Sequence, residues 1–98
     1  MVSEARVATT QSVMYMQRLC RHFRHKVPAE FDDTHAKVDL PTGICEMDAE
    51  ADALVLQAQA DDTEGLERVK HILTDHITRF GFCENLQVQW SDEATVEK

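Results

Sequence analysis

Apolar residues recur along this chain with two different periods, and the alternation of those periods predicts its elements. From about residue 11 to residue 26 they lie three or four positions apart, which is typical of an amphipathic helix: Val13, Met16, Leu19, Cys20 and Phe23. A second helical stripe ends near residue 80: Leu66, Val69, Ile72, Leu73, Ile77 and Phe80. Elsewhere apolar and polar residues alternate, which indicates strands with one buried face.

The alternating segments predict strands at residues 3–8, 30–31, 35–40, 45–48, 54–59 and 86–90. We expect the first at a sheet edge and the middle ones in consecutive antiparallel hairpins, with a turn at Pro41, Thr42 and Gly43. Asp61 to Glu64 supply helix caps, and Gly81 ends the second helix. The predicted fold is α+β: an antiparallel sheet in the order β-α-β-β-β-β-α-β, with both helices packed on one face.

Length and composition restrict the class of protein. The 98 residues fit one α+β domain over residues 1–90, followed by a polar C-terminal tail over residues 91–98. The chain lacks a membrane-length apolar run and a signal-peptide pattern, so we expect a cytoplasmic protein. Three widely spaced cysteines, Cys20, Cys45 and Cys83, are interpreted as reduced thiols, the first two buried and the third accessible.

Charge is distributed unevenly along the chain. The net charge is −8, yet residues 5–29 contain five basic residues and no acid, a local charge of +5. Residues 30–98 hold five bases and seventeen acids, a charge of −12. A protein this acidic is repelled by nucleic acid over most of its surface, so nucleic acid is not expected as a partner.

The basic residues of the first helix are predicted to form one exposed surface. At about 100° per residue, Arg18, Arg21, His22 and His25 lie opposite the apolar stripe, with Met14 and Tyr15 beside them. Cationic groups mixed with large apolar side chains are typical of contact surfaces. The functional hypothesis is a binding surface for an acidic protein partner or an anionic small ligand. The alternative is a solvated helix face, as most charged runs are.

Three further hypotheses stay open at this point. His22 and His25 have a spacing at which two imidazoles share a metal, although a metal site needs a further ligand from another element or subunit. The polar face of the sheet, which includes Val55 and several glutamines, is a surface on which a homodimer would form. The third hypothesis is an enzyme with an unrecognised site.

Motifs for common catalytic sites are missing from the sequence. We find no G-x-S-x-G, P-loop, G-x-G-x-x-G or H-E-x-x-H pattern, and therefore predict no catalytic residues and no cofactor. His76 lies in the apolar stripe of the second helix, which favours a core histidine satisfied by one hydrogen bond. His71 lies outside that stripe, with Glu67 and Asp75 four residues away on either side, which favours surface ion pairing.

Several motifs, in order, resemble a bacterial family known as domain of unknown function 2218. They are the run LCRHFRHKVP at residues 19–28, Phe31-Asp32, PTGIC at residues 41–45, HITRF at residues 76–80 and LQVQW at residues 86–90. Arg21 stands where lysine is usual, and Cys83 where arginine is common. The resemblance implies a β-α-β(4)-α arrangement but no established activity. Related domains are fused to siderophore-interacting flavin reductases, which implies an accessory part in bacterial iron acquisition.

Together these observations favour a non-catalytic binding or adaptor module, with the exposed face of the first helix as its contact surface. A metal or ferric-siderophore binding protein is the alternative, and an enzyme with an unrecognised site is the second alternative.

Overall fold

Six strands pair into one antiparallel sheet in a computed structural model that describes residues 1–80, 86 and 88–92. The strands are β1 (Val2–Ala8), β2 (Ala29–Phe31), β3 (His35–Leu40), β4 (Gly43–Ala49), β5 (Ala53–Gln59) and β6 (Trp90–Asp92). Their order across the sheet is β2-β3-β4-β5-β1-β6. The predicted hairpins from β2 to β5 are confirmed, and β1 closes back on β5 from the start of the chain.

Two helices connect the strands, α1 (Ser12–Phe23) and α2 (Thr63–Phe80). The predicted cap of α2 is present, because the Gly65 backbone N–H donates to Asp62 Oδ1 over 2.7 Å. Helix α1 has no such side-chain cap at Gln11, and a tighter turn follows it, in which the Lys26 N–H donates to the Phe23 carbonyl over 2.9 Å. The predicted element order is therefore confirmed, with α1 ending three residues before the expected position.

Two predictions about the sheet are corrected. Strand β1 does not lie at an edge, because β6 pairs with its outer side through Ser3, Glu4 and Ala5. Strand β6 starts at Trp90 rather than at residue 86, and it includes Ser91 and Asp92 from the predicted tail. Pairing between the two ends of a chain is non-local, so the alternation within each segment did not encode it. Gly81 and Cys83 lie outside the described residues.

The core lies between the helices and one face of the sheet, so both helices pack on that face as predicted. The strand register places Val7 opposite Leu54, Met47 opposite Leu56, and Val38 opposite Cys45. Each of these side chains is buried. The helices contribute the rest of the packed layer: Tyr15, Met16, Leu19, Cys20, Phe23, Leu66, Val69, Leu73 and Ile77.

The buried stripe of α1 is rotated from the one predicted. Val13 was expected in the core and is 41% exposed, whereas Tyr15 was expected at the surface and is 5% exposed. Exchanging Val13 for Tyr15 turns the centre of the stripe by about 30° on a helical wheel. Tyr15 is buried because it lies four residues before Leu19, and the opposite face is left to the basic residues.

Cys20 and Cys45 are free thiols in the core, as predicted. Burial raises the pKa of the Cys20 thiol to about 11, partly offset by the charge of Arg24, and burial also raises the pKa of Cys45. Both thiols are therefore protonated and unreactive at neutral pH. Neither α1 nor α2 is long and apolar enough to cross a membrane.

Candidate functional site

The exposed side of α1 and of the turn that follows it carries five residues that we call the basic surface: Met14, Arg18, Arg21, His22 and His25. All five are exposed, with Met14 at 39%. Met14, Arg18 and Arg21 lie at positions i, i+4 and i+7 of the helix and so form a stripe, and His25 follows in the turn. Tyr15, which was predicted to belong to this surface, packs into the core instead.

The two arginines of this surface differ from most other cations of the protein in having no acidic partner among the described residues. Arg6 pairs with Glu50 at 2.8 Å, Lys70 with Glu67 at 2.8 Å and Arg79 with Asp75 at 3.4 Å. The last two pairs also occupy both acids that were expected to flank His71. The charges of Arg18 and Arg21 are thus left available to a group from outside.

Arg24, on the neighbouring side of the turn, is engaged within the fold. Its guanidinium lies 4.9 Å from the centre of the Phe31 ring, and its Nε–H donates to the Ala29 carbonyl over 3.3 Å. These contacts fix the turn between α1 and β2. The fold thus separates a structural arginine from the two unpaired ones.

His22 extends the basic surface toward α2 through a group of stacked rings. Its ring centre lies 4.9 Å from that of His76 and 5.7 Å from that of Phe80, and Phe23 lies 4.9 Å from His76. His76 makes the single hydrogen bond that the sequence predicted, from Nδ1 to the Ile72 carbonyl at 2.7 Å. It is half-buried rather than enclosed, so both imidazoles lie at the protein surface.

The surroundings of His22 are cationic. The pKa of His22 is lowered first by burial of part of its ring against its neighbours, although the residue as a whole is exposed. The further causes are the positive charges of His76, Lys26, His25 and Arg79. Sequence reasoning missed the contribution of α2, because packing between helices is not encoded in the period of either one. The place of His76 beside Phe80 in an apolar stripe was the available signal.

His35, on the open face of the sheet, shows the opposite environment. Its Nδ1 lies 2.8 Å from Asp48 Oδ1, and its Nε2 lies 3.7 Å from Glu46 Oε1. The hydrogen bond to Asp48 raises the pKa of His35, and the charges of Asp48, Glu46 and Asp32 add to it. Acidic side chains therefore offset the charge of protonated His35, whereas the charged groups that act on His22 among the described residues are all cationic.

We expect nuclear magnetic resonance titration of the imidazole C2 protons to separate these two histidines, with His35 above the ordinary pKa of about 6.5 and His22 below it. A raised folded-state pKa means that His35 stabilises the fold below about pH 6.5 and loses this effect as pH rises through the folded pKa. Changing His35 to Gln should therefore cost more at pH 5 than at pH 8.5, by under about 1 kcal/mol because the pair is exposed. Equal costs at both pH values would contradict the assignment.

The rest of the described surface carries fewer features that indicate a binding or catalytic site. The described residues contain no group of three or more histidine, cysteine, aspartate or glutamate side chains placed to hold a metal. An open cavity of about 580 Å³ lies at the turn between β3 and β4, where Asp39, Thr42 and Asp61 are among its lining residues. The polar sheet face, on which a homodimer was predicted, carries Glu4, Glu46 and Asp48 among its outward side chains. The homodimer stays a prediction.

Comparison with known proteins adds a family and a fold. Residues 4–91 match the model of DUF2218, described as an uncharacterised protein conserved in bacteria. Among solved structures, the chain is similar to the NMR structure of PA4090 from Pseudomonas aeruginosa, with a TM-score of 0.78 and 27% sequence identity over 92% of this chain and 94% of the other. No curated protein matches the chain.

Proposed function

This chain belongs to the uncharacterised bacterial family DUF2218, and from its surface chemistry we propose that it is a non-catalytic binding or adaptor module. Its ligand is an acidic protein segment or an anionic small molecule, held on the basic surface. The observation that carries the proposal is the pair of exposed arginines, Arg18 and Arg21, without an acidic partner in the part of the chain that the structure describes.

The electrostatics of the neighbourhood support this proposal. Arg18, Arg21 and His25 share the exposed side of α1 with His22, and the cations His76 and Arg79 of α2 act on His22. A carboxylate placed there relieves repulsion among like charges and gains charge-assisted hydrogen bonds from the guanidinium groups. The remainder of the chain is acidic, so its field repels anions elsewhere and concentrates them at this surface.

The test is charge reversal of both arginines, R18E with R21E, measured by calorimetric titration with poly-L-glutamate and with citrate at about 50 mM salt. We expect affinity for the better of the two probes to fall by about tenfold or more, because hydrogen bonds to charged groups are lost. In the unmodified protein, binding should also raise the pKa of His22, since an anion offsets the surrounding positive charge.

A matched control variant has the same net charge as the R18E and R21E double variant. The pair K37E with R68E also makes two reversals at exposed positions, on β3 and α2, and changes the net charge by the same amount. It should bind as the unmodified protein does, apart from a small long-range effect. Equal loss in both double variants would show that net charge governs binding, and unchanged binding in the first would overturn the proposal.

The role in siderophore-linked iron acquisition rests on the family resemblance alone, and it stays a proposal together with the metal hypothesis for His22 and His25. Ferric citrate added to the same titration tests both. Binding that is lost when His22 and His25 are replaced by glutamine supports a metal or ferric-siderophore protein. Binding of citrate and ferric citrate with equal affinity supports recognition of the anion only.

A further inference from the structure

The two ends of the basic surface, taken along the axis of α1, differ in chemistry. The first turn of α1 exposes Met14, a large apolar side chain, at 39%. Arg18 follows one turn later, Arg21 two turns later, and His22 lies beside Arg21 in the last turn of the helix. One end of α1 is therefore apolar on its outer side, and the other end is cationic.

The spacing of this surface matches a helical partner. Met14, Arg18 and Arg21 are separated by four and then three residues, which is the pattern by which one helix presents a continuous stripe to another. The stripe is about 10 Å long at 1.5 Å per residue. Two turns of a second helix laid along α1 would cover it.

Charge complementarity fixes the chemistry of that partner, and the helix dipole favours one direction for it. Acidic residues stabilise the N-terminal turn of a helix, and basic residues stabilise the C-terminal turn, where α1 carries Arg21 and His22. A helix with acids at its N-terminal end and an apolar residue near its C-terminal end satisfies both ends of the stripe only when it runs antiparallel to α1.

We propose, on the basis of the binding function above, that the occupant of the basic surface is an acidic amphipathic helix of a partner protein, docked antiparallel to α1. Its carboxylates pair with Arg18 and Arg21, and its apolar side chain covers Met14. Burial of that side chain adds the hydrophobic contribution that a small anion lacks.

The experiment uses two peptides of identical composition and opposite order, each about the length of α1 at roughly 14 residues. The first has glutamates in its first two turns and leucine in its last turn, and the second has the reverse sequence. Both are acetylated, amidated and stapled on the outer face, so that their termini are neutral and both are helical. We expect the acid-first peptide to bind the full-length protein about tenfold or more tightly than the reversed one.

A variant of the apolar end separates this inference from the general binding function. The variant M14S should weaken binding of the acid-first peptide about fivefold more than it weakens binding of poly-L-glutamate. Equal affinity of both peptides would overturn the antiparallel direction, and tighter binding of citrate or single-stranded DNA than of either peptide would overturn the helical partner while leaving anion binding intact. No binding of peptides, citrate or poly-L-glutamate would overturn both proposals.

Discussion

Replacing Tyr15 with alanine should lower the free energy of unfolding by about 3 kcal/mol, as expected for removal of a large buried side chain. Tyr15 is 5% exposed and belongs to the core between α1 and the sheet. Its removal leaves a cavity that the neighbouring Leu19 and Met16 fill only in part. Urea denaturation followed by circular dichroism measures the change, with an unchanged m value showing that both proteins unfold from equally compact states.

Val13 provides the matched control on the same helix. At 41% exposure it loses little burial when changed to alanine, so V13A should cost under about 1 kcal/mol. A larger loss in the free energy of unfolding for V13A than for Y15A would indicate that α1 has the rotational phase that the apolar pattern predicted. The comparison also bears on function, because that phase would return Tyr15 to the exposed side of α1 beside the basic residues.

The error in the rotational phase of α1 shows what a periodic pattern of apolar residues can predict and what it cannot. Five apolar residues identified the helix and its approximate length, but valine and tyrosine at the two borders of the stripe decided its centre. Tyrosine combines an apolar ring with a polar hydroxyl, so its position on a wheel is ambiguous until the packing is known. The basic residues were correctly predicted to be exposed because they lie near the middle of the opposite face. A rotation of about 30° leaves them exposed.

The periodic pattern also could not predict contacts between segments that lie far apart along the chain. Each strand from β2 to β5 pairs with its neighbour through a short turn, so alternation and turn residues predicted the hairpins. Strand β1 pairs with β5 and β6, which both lie far from it along the chain, and the ring contact of His22 with His76 joins two helices. These pairings arise from tertiary packing and leave no period in the sequence.

The cationic neighbourhood of His22 follows from the same kind of contact. The sequence assigned the positive charge to the first helix alone, whereas the structure adds His76 and Arg79 from α2 to the surroundings of His22. Arg79 keeps an acidic partner, Asp75, while Arg18 and Arg21 keep none among the residues described. The candidate site is therefore identified by basic residues that have no acidic partner among those described. A count of basic residues in the sequence does not show which residues these are.

Changing Gly43 to alanine should destabilise the protein by about 1–3 kcal/mol or more, because the position has no room for a methyl group. A Cβ built there would overlap the Gln59 carbonyl oxygen and would lie 2.9 Å from Val69 Cγ2. The first contact is with the backbone of β5, so relief requires β4 and β5 to separate at the start of their ladder. The second is with α2, which packs over the same point.

Thr42 is the matched control for Gly43, because it is the adjacent residue and its hydroxyl oxygen is buried without a hydrogen-bond partner among the described residues. Thr42→Val keeps the shape of the side chain and removes a polar atom whose burial is unfavourable, so it should leave the stability unchanged or raise it by up to about 1 kcal/mol. Denaturation of both variants in urea gives the comparison. If Gly43→Ala is as stable as the unmodified protein, β4 and α2 lie farther apart than described, and the close packing of helix on hairpin that fixes this end of the sheet is wrong.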